Sequence, residues 1–177
     1  TKNVEMIFNK KRDLLIVVGG GSLPPQLYDR PHEDELQPNR DRMEEQVIHY
    51  CVAHGIPIIA TCRGMQYINV MFGGKIWYHP KLPVNRTRGV DHQVWLVKEQ
   101  RNIWVNNYHS DCIYEEGLAS CFEPLAIDRE NHVVEAYGSD EMKILALQWH
   151  PERRFETANA YEETRKIILD FIQKYVK

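Results

Sequence analysis

One stretch of the sequence, residues 56–74 (IPIIATCRGMQYINVMFGG), constrains the fold more than any other part of the chain. Its first apolar residues, Ile56, Ile58 and Ile59, form a short β-branched run that predicts a buried strand. From Arg63 onward the apolar residues recur at helical spacing, and a glycine pair supplies a C-terminal stop. A strand that passes through a tight turn directly into a helix is typical of α/β folds.

The turn between this strand and this helix carries Thr61, Cys62 and Arg63, flanked by the small residues Ala60 and Gly64. The layout is typical of a nucleophile elbow, with a cysteine where many hydrolases carry serine. A thiol at a helix N-terminus lies at the positive end of the helix dipole, which favours the reactive thiolate. The alternative is an ordinary buried thiol, because free cysteine is among the most buried residue types.

Length and composition limit the classes of protein that remain. A chain of 177 residues is long enough for one well-buried domain and short for two, so we expect a single domain over residues 1–177. A net charge of −3 and a pI near 6.2 argue against a nucleic-acid partner. No apolar run reaches the ~20 residues of a membrane span, and no signal peptide or lipidation motif is evident. We therefore expect a cytoplasmic protein without membrane or nucleic-acid partners.

The cysteines do not have the spacing of metal ligands. The four positions include no CxxC pair and are Cys51, Cys62, Cys112 and Cys121. Reduced thiols are the simpler interpretation in a chain of this size with an ordinary apolar fraction. His49 lies near Cys51, but positions two residues apart point to different sides of a helix. We therefore expect neither a metal nor a cofactor.

The remaining elements alternate between strands and helices. A continuous apolar run at 13–18 predicts a buried strand, 41–53 and 158–175 predict amphipathic helices, and polar residues 26–40 predict a long surface loop. Further strands are predicted at 75–78, 92–97, 104–105, 125–127, 132–136 and 144–149. The order of elements predicts an α/β fold, with a mostly parallel central sheet flanked by helices.

Two segments besides the elbow have residues suited to catalysis. The run Gly19 to Gly21 after the first strand frees backbone N–H groups for an anion, but it lacks the spacing of known phosphate loops. An oxyanion hole fits this run better, with a plain loop as the alternative. His150 and Glu152 directly follow the last strand, where sites assemble in α/β sheets. A histidine there can accept the thiol proton, and the carboxylate can orient its imidazole, so Cys62 gains a base.

Four blocks of the sequence together resemble the class I glutamine amidotransferase-like fold, and within it the γ-glutamyl hydrolase group of cysteine peptidases. The blocks are DLLIVVGGGSLPPQLYD, PIIATCRGMQYINVMFGG, VNNYHSDCI and LALQWHPE. The combination of CRGMQ with a downstream QWHPE is specific, and the similarity extends over most of the chain from about Asp13. It implies a flavodoxin-like fold of three layers. In the family a strand and a helix precede the first of these blocks, and this sequence starts too late to include them fully.

The resemblance implies a role for each candidate residue. Cys62 becomes the nucleophile, His150 the general acid and base, and Glu152 the carboxylate that orients it. The oxyanion hole is assigned to the backbone N–H of Arg63 and to one from Gly19 or Gly20. The glutamyl group of the substrate is assigned to the Gln66 side chain and to the backbone of Tyr108, His109 and Ser110. The sequence departs from the family pattern at Ala60, Ser110 and Asp111, where the family usually has Gly, His and Gln.

The implied reaction is hydrolysis of a small γ-glutamyl conjugate through a γ-glutamyl thioester, with release of glutamate. Arg86 and Arg88 lie in a cationic segment before Asp91, which would suit a phosphorylated leaving group. A solvated loop is the alternative. This segment slightly favours γ-glutamyl-CDP-amidate of capsule phosphoramidate synthesis over γ-glutamyl-γ-aminobutyrate. Two other functions remain open: a glutaminase that supplies ammonia to a partner synthase, and a non-enzymatic binding module.

Overall fold

The structure, a computed structural model, describes residues 13–28, 36–78 and 87–176. Within these ranges the chain forms seven strands and three helices. The strands are β1 (Leu15–Val17), β2 (Ile58–Thr61), β3 (His92–Leu96), β4 (Arg101–Val105), β5 (Glu123–Asp128), β6 (Val133–Ser139) and β7 (Ile144–Leu147). The helices are α1 (Pro38–His54), α2 (Arg63–Met71) and α3 (Ala160–Tyr175). Short 3-10 helices lie at Pro25–Leu27 and Glu115–Gly117.

The strands form one sheet in the order β1-β2-β7-β6-β5-β3-β4. Neighbours in the first part of this order, β1, β2 and β7, are parallel, whereas the remaining pairs are antiparallel. Connection length explains the difference, because the short turns between β5 and β6 and between β6 and β7 allow only antiparallel pairing. The predicted α/β fold with flanking helices is confirmed, and its parallel part is the part that carries the candidate site.

Helices cover both faces of the sheet. Alternate residues of β2 point to opposite sides, so Ile58 and Ala60 pack into the core beneath α1 and α2, whereas Ile59 packs with residues of α3. All four residues of β2 are buried, as the continuous apolar run predicted. The result is the three-layer arrangement that the family resemblance implied.

Two buried polar side chains fix helix α2 against the rest of the molecule. The Tyr137 hydroxyl donates a hydrogen bond of 2.6 Å to the Met65 carbonyl oxygen. Asn69 donates to the carbonyls of Lys75 and Gly117 and accepts from the Ala119 N–H. Each of these bonds contributes about 1 kcal/mol net, but breaking one would leave a buried polar group unsatisfied at a higher cost. The helix that follows Cys62 is therefore held rigidly.

The boundaries of some elements differ from the sequence predictions. Residues 75–78 form isolated bridges, Tyr28 with Ile76 and Trp77 with Cys112, in place of the predicted strand. Helix α1 begins at Pro38, inside the predicted loop, because proline is favoured in the first turn of a helix. Within the described residues, no helix is both long enough and apolar enough to cross a membrane.

Candidate active site

Cys62 lies on a strained turn between β2 and α2. Its backbone has φ 51° and ψ −111°, which a residue with a side chain rarely adopts. Two backbone hydrogen bonds hold this conformation: the Cys62 N–H donates to the Leu147 carbonyl of β7 at 2.8 Å, and the Cys62 carbonyl accepts from the Gln66 N–H at 3.1 Å. A Cβ at Gly64 would overlap the Val17 carbonyl oxygen, so only glycine lets α2 start this close to β1. The predicted nucleophile elbow is therefore present in the backbone.

His150 faces Cys62 across Gly19. A Cβ added to Gly19 would lie 2.7 Å from His150 Cε1 and 3.6 Å from Cys62 Cβ, so both side chains lie against this glycine. His150 Nδ1 lies 2.6 Å from Glu152 Oε1. Because Nδ1 is taken by the carboxylate, Nε2 is the ring nitrogen left for the thiol. The structure thus brings together the three residues predicted as a triad.

Asn106, which the sequence analysis did not single out, fixes the backbone of His150. Its side chain accepts from the His150 N–H at 2.9 Å and donates to the His150 carbonyl at 2.8 Å. Asn106 is fully buried, and so is most of His150. In the sequence, Asn106 was marked only as part of the polar VNNYHSDCI block, which gave no indication of its partner.

Burial controls the protonation of the candidate nucleophile. It raises the pKa of the Cys62 thiol to about 11, although the Arg63 backbone N–H and the Arg153 charge both act to lower it. The helix N-terminus thus acts in the expected direction, but burial outweighs it and favours the neutral thiol. Burial also lowers the pKa of His150 below its ordinary value, against the opposing effect of Glu152. Near neutral pH these pKa directions favour a neutral thiol at Cys62 and a neutral imidazole at His150.

The glycine run after β1 lies beside Cys62 and is held by α1. Arg40 donates from Nη2 to the Val18 carbonyl at 2.6 Å and from Nη1 to the Gly19 carbonyl at 3.0 Å. Gly19 and Gly20 both line the cavity that contains Cys62. On the other side, the Arg63 backbone N–H forms a hydrogen bond with the Cys62 thiol, so this amide points at the sulfur. Arg40 was missed because its position fell in a predicted loop.

Two cavities meet at Cys62. The smaller has a volume of about 170 Å³, is mostly polar, and includes every residue predicted to bind the glutamyl group: Gln66, Tyr108, His109 and Ser110. Asp111 also lines it, and its side chain accepts a hydrogen bond from the Tyr28 hydroxyl at 2.9 Å. The Gln66 side-chain amide donates to the Asp111 carbonyl at 3.0 Å and to Gln148 Oε1 at 3.2 Å. Gln66 is therefore oriented by the protein before any ligand enters.

The larger cavity has a volume of about 680 Å³ and extends from Cys62 and His150 toward apolar residues of β1 and α3. Its charged residues are Arg88, Glu152 and Arg153. The Arg153 guanidinium lies 4.5 Å from the centre of the Tyr108 ring, which in turn packs edge-on against His150. Arg153 carried no recognisable signal in the sequence. Of the two predicted leaving-group contacts, Arg88 lines both cavities. Arg86 lies outside the described residues.

Comparisons with known proteins agree on fold and family. The peptidase C26 family model matches residues 3–152. The glutamine amidotransferase-like protein YvdE of Lactococcus lactis subsp. lactis is 29% identical, over 82% of this chain and 68% of that protein. The gamma-glutamyl-gamma-aminobutyrate hydrolase PuuD of Escherichia coli K12 is 26% identical, over 84% of this chain and 67% of that protein.

A solved structure resembles the fold of the chain. A GMP synthase component from Thermoplasma acidophilum superposes with a TM-score of 0.62 at 19% identity, over 91% of this chain and 73% of that one. The chain spans about half to two thirds of the length of several curated relatives that it matches. From the family match and the shared fold, we conclude that the chain belongs to the peptidase C26 family, within the class I glutamine amidotransferase-like proteins.

Proposed function

We propose that this chain hydrolyses the γ-glutamyl amide bond of a small conjugate and that Cys62 carries the glutamyl group as a thioester. The observation that carries the proposal is that Cys62 and His150 both lie against Gly19 and line one cavity, with Glu152 Oε1 2.6 Å from His150 Nδ1. A thiol, a base within reach and a group that orients the base are the requirements of nucleophilic acyl transfer. The relative PuuD, a gamma-glutamyl-gamma-aminobutyrate hydrolase by name, supports the same bond type.

The first chemical step transfers the thiol proton. His150 Nε2 accepts the proton from Cys62 Sγ as the sulfur attacks the γ-carbonyl carbon, because a thiol with a pKa of about 11 is not ionised beforehand. The tetrahedral oxyanion is stabilised by the N–H of Arg63 and by an N–H from the glycine run. Collapse breaks the C–N bond, and His150 returns its proton to the leaving amine.

The second step regenerates the enzyme. A water molecule gives a proton to His150 Nε2 and attacks the thioester carbon, the C–S bond breaks, and the proton returns to the Cys62 sulfur. Glutamate is released. In both steps the imidazolium is stabilised by the Glu152 carboxylate, whose side chain is 59% exposed and is held ionised by its contact with His150.

Each of the two cavities suits one half of the substrate. The small polar cavity suits the glutamyl half, in which Gln66 and Ser110 supply hydrogen bonds and the Asp111 carboxylate suits an α-ammonium group. The large cavity suits the leaving group, since it opens from the same sulfur on the other side. Asp111 replaces the family glutamine, so this contact would be a feature of the present chain.

The thioester is tested by trapping it with hydroxylamine. We expect purified protein, given γ-glutamyl-γ-aminobutyrate, to form γ-glutamyl hydroxamate at the expense of glutamate as hydroxylamine is increased, because it competes with water for the same acyl group. Mass spectrometry measures both products. Release of glutamate without any hydroxamate would indicate direct attack by water and contradict the thioester.

A panel of three amides separates the alternative functions. γ-Glutamyl-γ-aminobutyrate, a γ-glutamyl nucleotide amidate and glutamine are compared by kcat/KM. Preference for either conjugate supports a hydrolase that acts alone. Preference for glutamine supports a glutaminase that feeds a synthase, and no turnover of any of the three supports a binding module.

We further propose that the leaving group is anionic, with a weak preference for the phosphate of a nucleotide amidate. Arg88 and Arg153 line the large cavity and form no salt bridge with another described residue, although Glu152 lies near Arg153, whereas the nearby Arg40 and Arg63 form salt bridges with acidic residues of α1. Guanidinium groups at the mouth of a site suit carboxylate or phosphate groups.

Replacing Arg153 by methionine is expected to reduce selectivity for anionic leaving groups. The ratio of kcat/KM for γ-glutamyl-γ-aminobutyrate to that for neutral γ-glutamyl-butylamide should fall by about three- to tenfold, the range for a partly exposed charge-assisted contact. A larger fall for the nucleotide amidate would favour the phosphate. Arg154→Met is the matched control, since Arg154 is exposed and lies outside both cavities. If both variants give the same ratio as the wild type, Arg153 does not contact the leaving group.

A further inference from the structure

We infer that Arg40 and Glu44 of helix α1 are positioning residues that set both sides of the oxyanion hole. The inference rests on the proposed acyl transfer at Cys62 and deepens it. Neither residue lines the cavity walls beside the reactive sulfur. Both act through other residues: Arg40 contacts the backbone of the glycine run after β1, and Glu44 contacts the side chains of Arg40 and of Arg63, the residue after the nucleophile.

The Arg40 contacts fix the direction of two peptide planes. Its guanidinium donates to the carbonyl oxygens of Val18 and Gly19, at 2.6 Å and 3.0 Å. In a trans peptide the N–H of the next residue points opposite to the carbonyl. Because the two carbonyls are turned toward Arg40, the N–H groups of Gly19 and Gly20 are turned away from α1, on the side of the loop opposite the guanidinium. A glycine run without such a contact has no intrinsic preference for this orientation.

Glu44 joins this loop to the other side of the oxyanion hole. One carboxylate oxygen accepts from Arg40 Nε at 2.6 Å, and the other accepts from Arg63 Nη1 at 2.5 Å. The Arg63 side chain is 1% exposed and also pairs with Asp41, one turn earlier on α1. The Glu44 carboxylate therefore links Arg63, which follows the nucleophile, to Arg40, which holds the Val18 and Gly19 carbonyls.

Gly20 packs so closely against Arg40 and Arg63 that the positions of these two side chains affect the position of the glycine loop. A Cβ at this position would overlap Arg40 Nη1 and lie 2.9 Å from Arg63 Cδ. The loop therefore packs directly against the Arg40 guanidinium and the aliphatic part of the Arg63 side chain, and any side chain at this position would force one of them to move. Movement of either arginine moves the loop.

Residues that orient N–H groups toward a developing charge stabilise the transition state more than they stabilise the bound substrate. Loss of one oxyanion-hole donor typically costs 10²- to 10³-fold in kcat, and a displacement of about 1 Å has a similar effect. The glutamyl contacts of the small polar cavity do not involve Arg40, so substrate binding should be retained.

The test is Arg40→Met, which keeps the length of the side chain and removes the guanidinium. We expect kcat for a γ-glutamyl amide to fall by about 100-fold while KM changes by less than about threefold. Arg40→Lys should recover part of the loss, because one ammonium can reach one of the two carbonyls. Guanidinium ion, at concentrations that leave the circular dichroism unchanged, should partly restore the Arg40→Ala variant. Arg42→Met, at an exposed position on the same helix, is the matched control and should behave as the wild type.

The outcomes separate this inference from the function on which it rests. Failure of the wild type and of Arg42→Met to release glutamate would remove the proposed function itself. With an active wild type, an unchanged kcat in Arg40→Met would overturn the positioning role. The positioning role would also be overturned if kcat fell in proportion to thermal stability across the variants and guanidinium did not restore it. That pattern is expected of an ion pair that only stabilises the fold.

Discussion

Replacing Cys62 by alanine is expected to lower kcat/KM for every γ-glutamyl amide by at least about four orders of magnitude, the usual cost of losing a covalent nucleophile. The physical reason is that no other thiol lies in the two cavities, as far as the described residues extend: Cys51 and Cys112 are buried elsewhere and Cys121 is exposed. Glutamate release by the purified variant is the measurement.

Two controls make this result specific to the nucleophile. Cys121→Ala, which removes an exposed thiol from the same chain, should retain full activity. The circular dichroism of Cys62→Ala should match that of the wild type, since the substitution removes a single sulfur from the edge of a cavity. Activity above about a hundredth of the wild-type value in a correctly folded Cys62→Ala variant would contradict the thioester mechanism.

The elbow was predictable from the sequence because its determinants are local. The β-branched run of β2, the change to helical spacing at Arg63 and the small Gly64 all lie within one short stretch, and each predicts its own conformation. His150 and Glu152 were found for a similar reason, since both directly follow an apolar strand. Parallel neighbours β2 and β7 then place the ends of both strands side by side.

The part of the site that the sequence did not predict depends on contacts between distant segments. Arg40 lies in a stretch that predicted a loop, and its partners Val18 and Gly19 are more than twenty residues away. Asn106, directly after β4, bonds to His150, which lies beyond the end of β7 and 44 residues away in the sequence. Antiparallel pairing from β7 to β4 was missed for another reason: the individual strands were recognised, but the pattern of apolar residues does not give the direction of a neighbour.

The protonation state of Cys62 is the clearest case in which a distant effect outweighs a local one. The helix N-terminus is a local feature and favours the thiolate by a modest amount. Burial is a property of the folded chain, and it raises the pKa of Cys62 to about 11. In the proposed mechanism His150 therefore has to remove the thiol proton as a base, so the carboxylate that orients His150 becomes important.

Glu152→Gln is therefore expected to reduce kcat by about 10³- to 10⁴-fold, as loss of the carboxylate does in related triads. The carboxylate only accepts hydrogen bonds, so it keeps the proton of the neutral imidazole on Nδ1, 2.6 Å away, and leaves Nε2 free for the thiol. A glutamine can donate its NH₂ group to Nδ1, which moves the proton to Nε2 and removes the base. The imidazolium formed during attack also loses its counter-charge.

The pH dependence of the same variant gives a second and independent readout. Burial lowers the pKa of His150, whereas the hydrogen bond and the charge of Glu152 raise it. Removing the charge should therefore lower the pKa of His150 further. Protonated His150 cannot accept the thiol proton, so the acid limb of kcat/KM should lie at lower pH in Glu152→Gln than in the wild type. Glu156→Gln, an exposed carboxylate outside both cavities, should leave the limb in place. A limb that stays fixed or moves to higher pH in Glu152→Gln would show that Glu152 does not control the protonation of His150, even if kcat falls as expected.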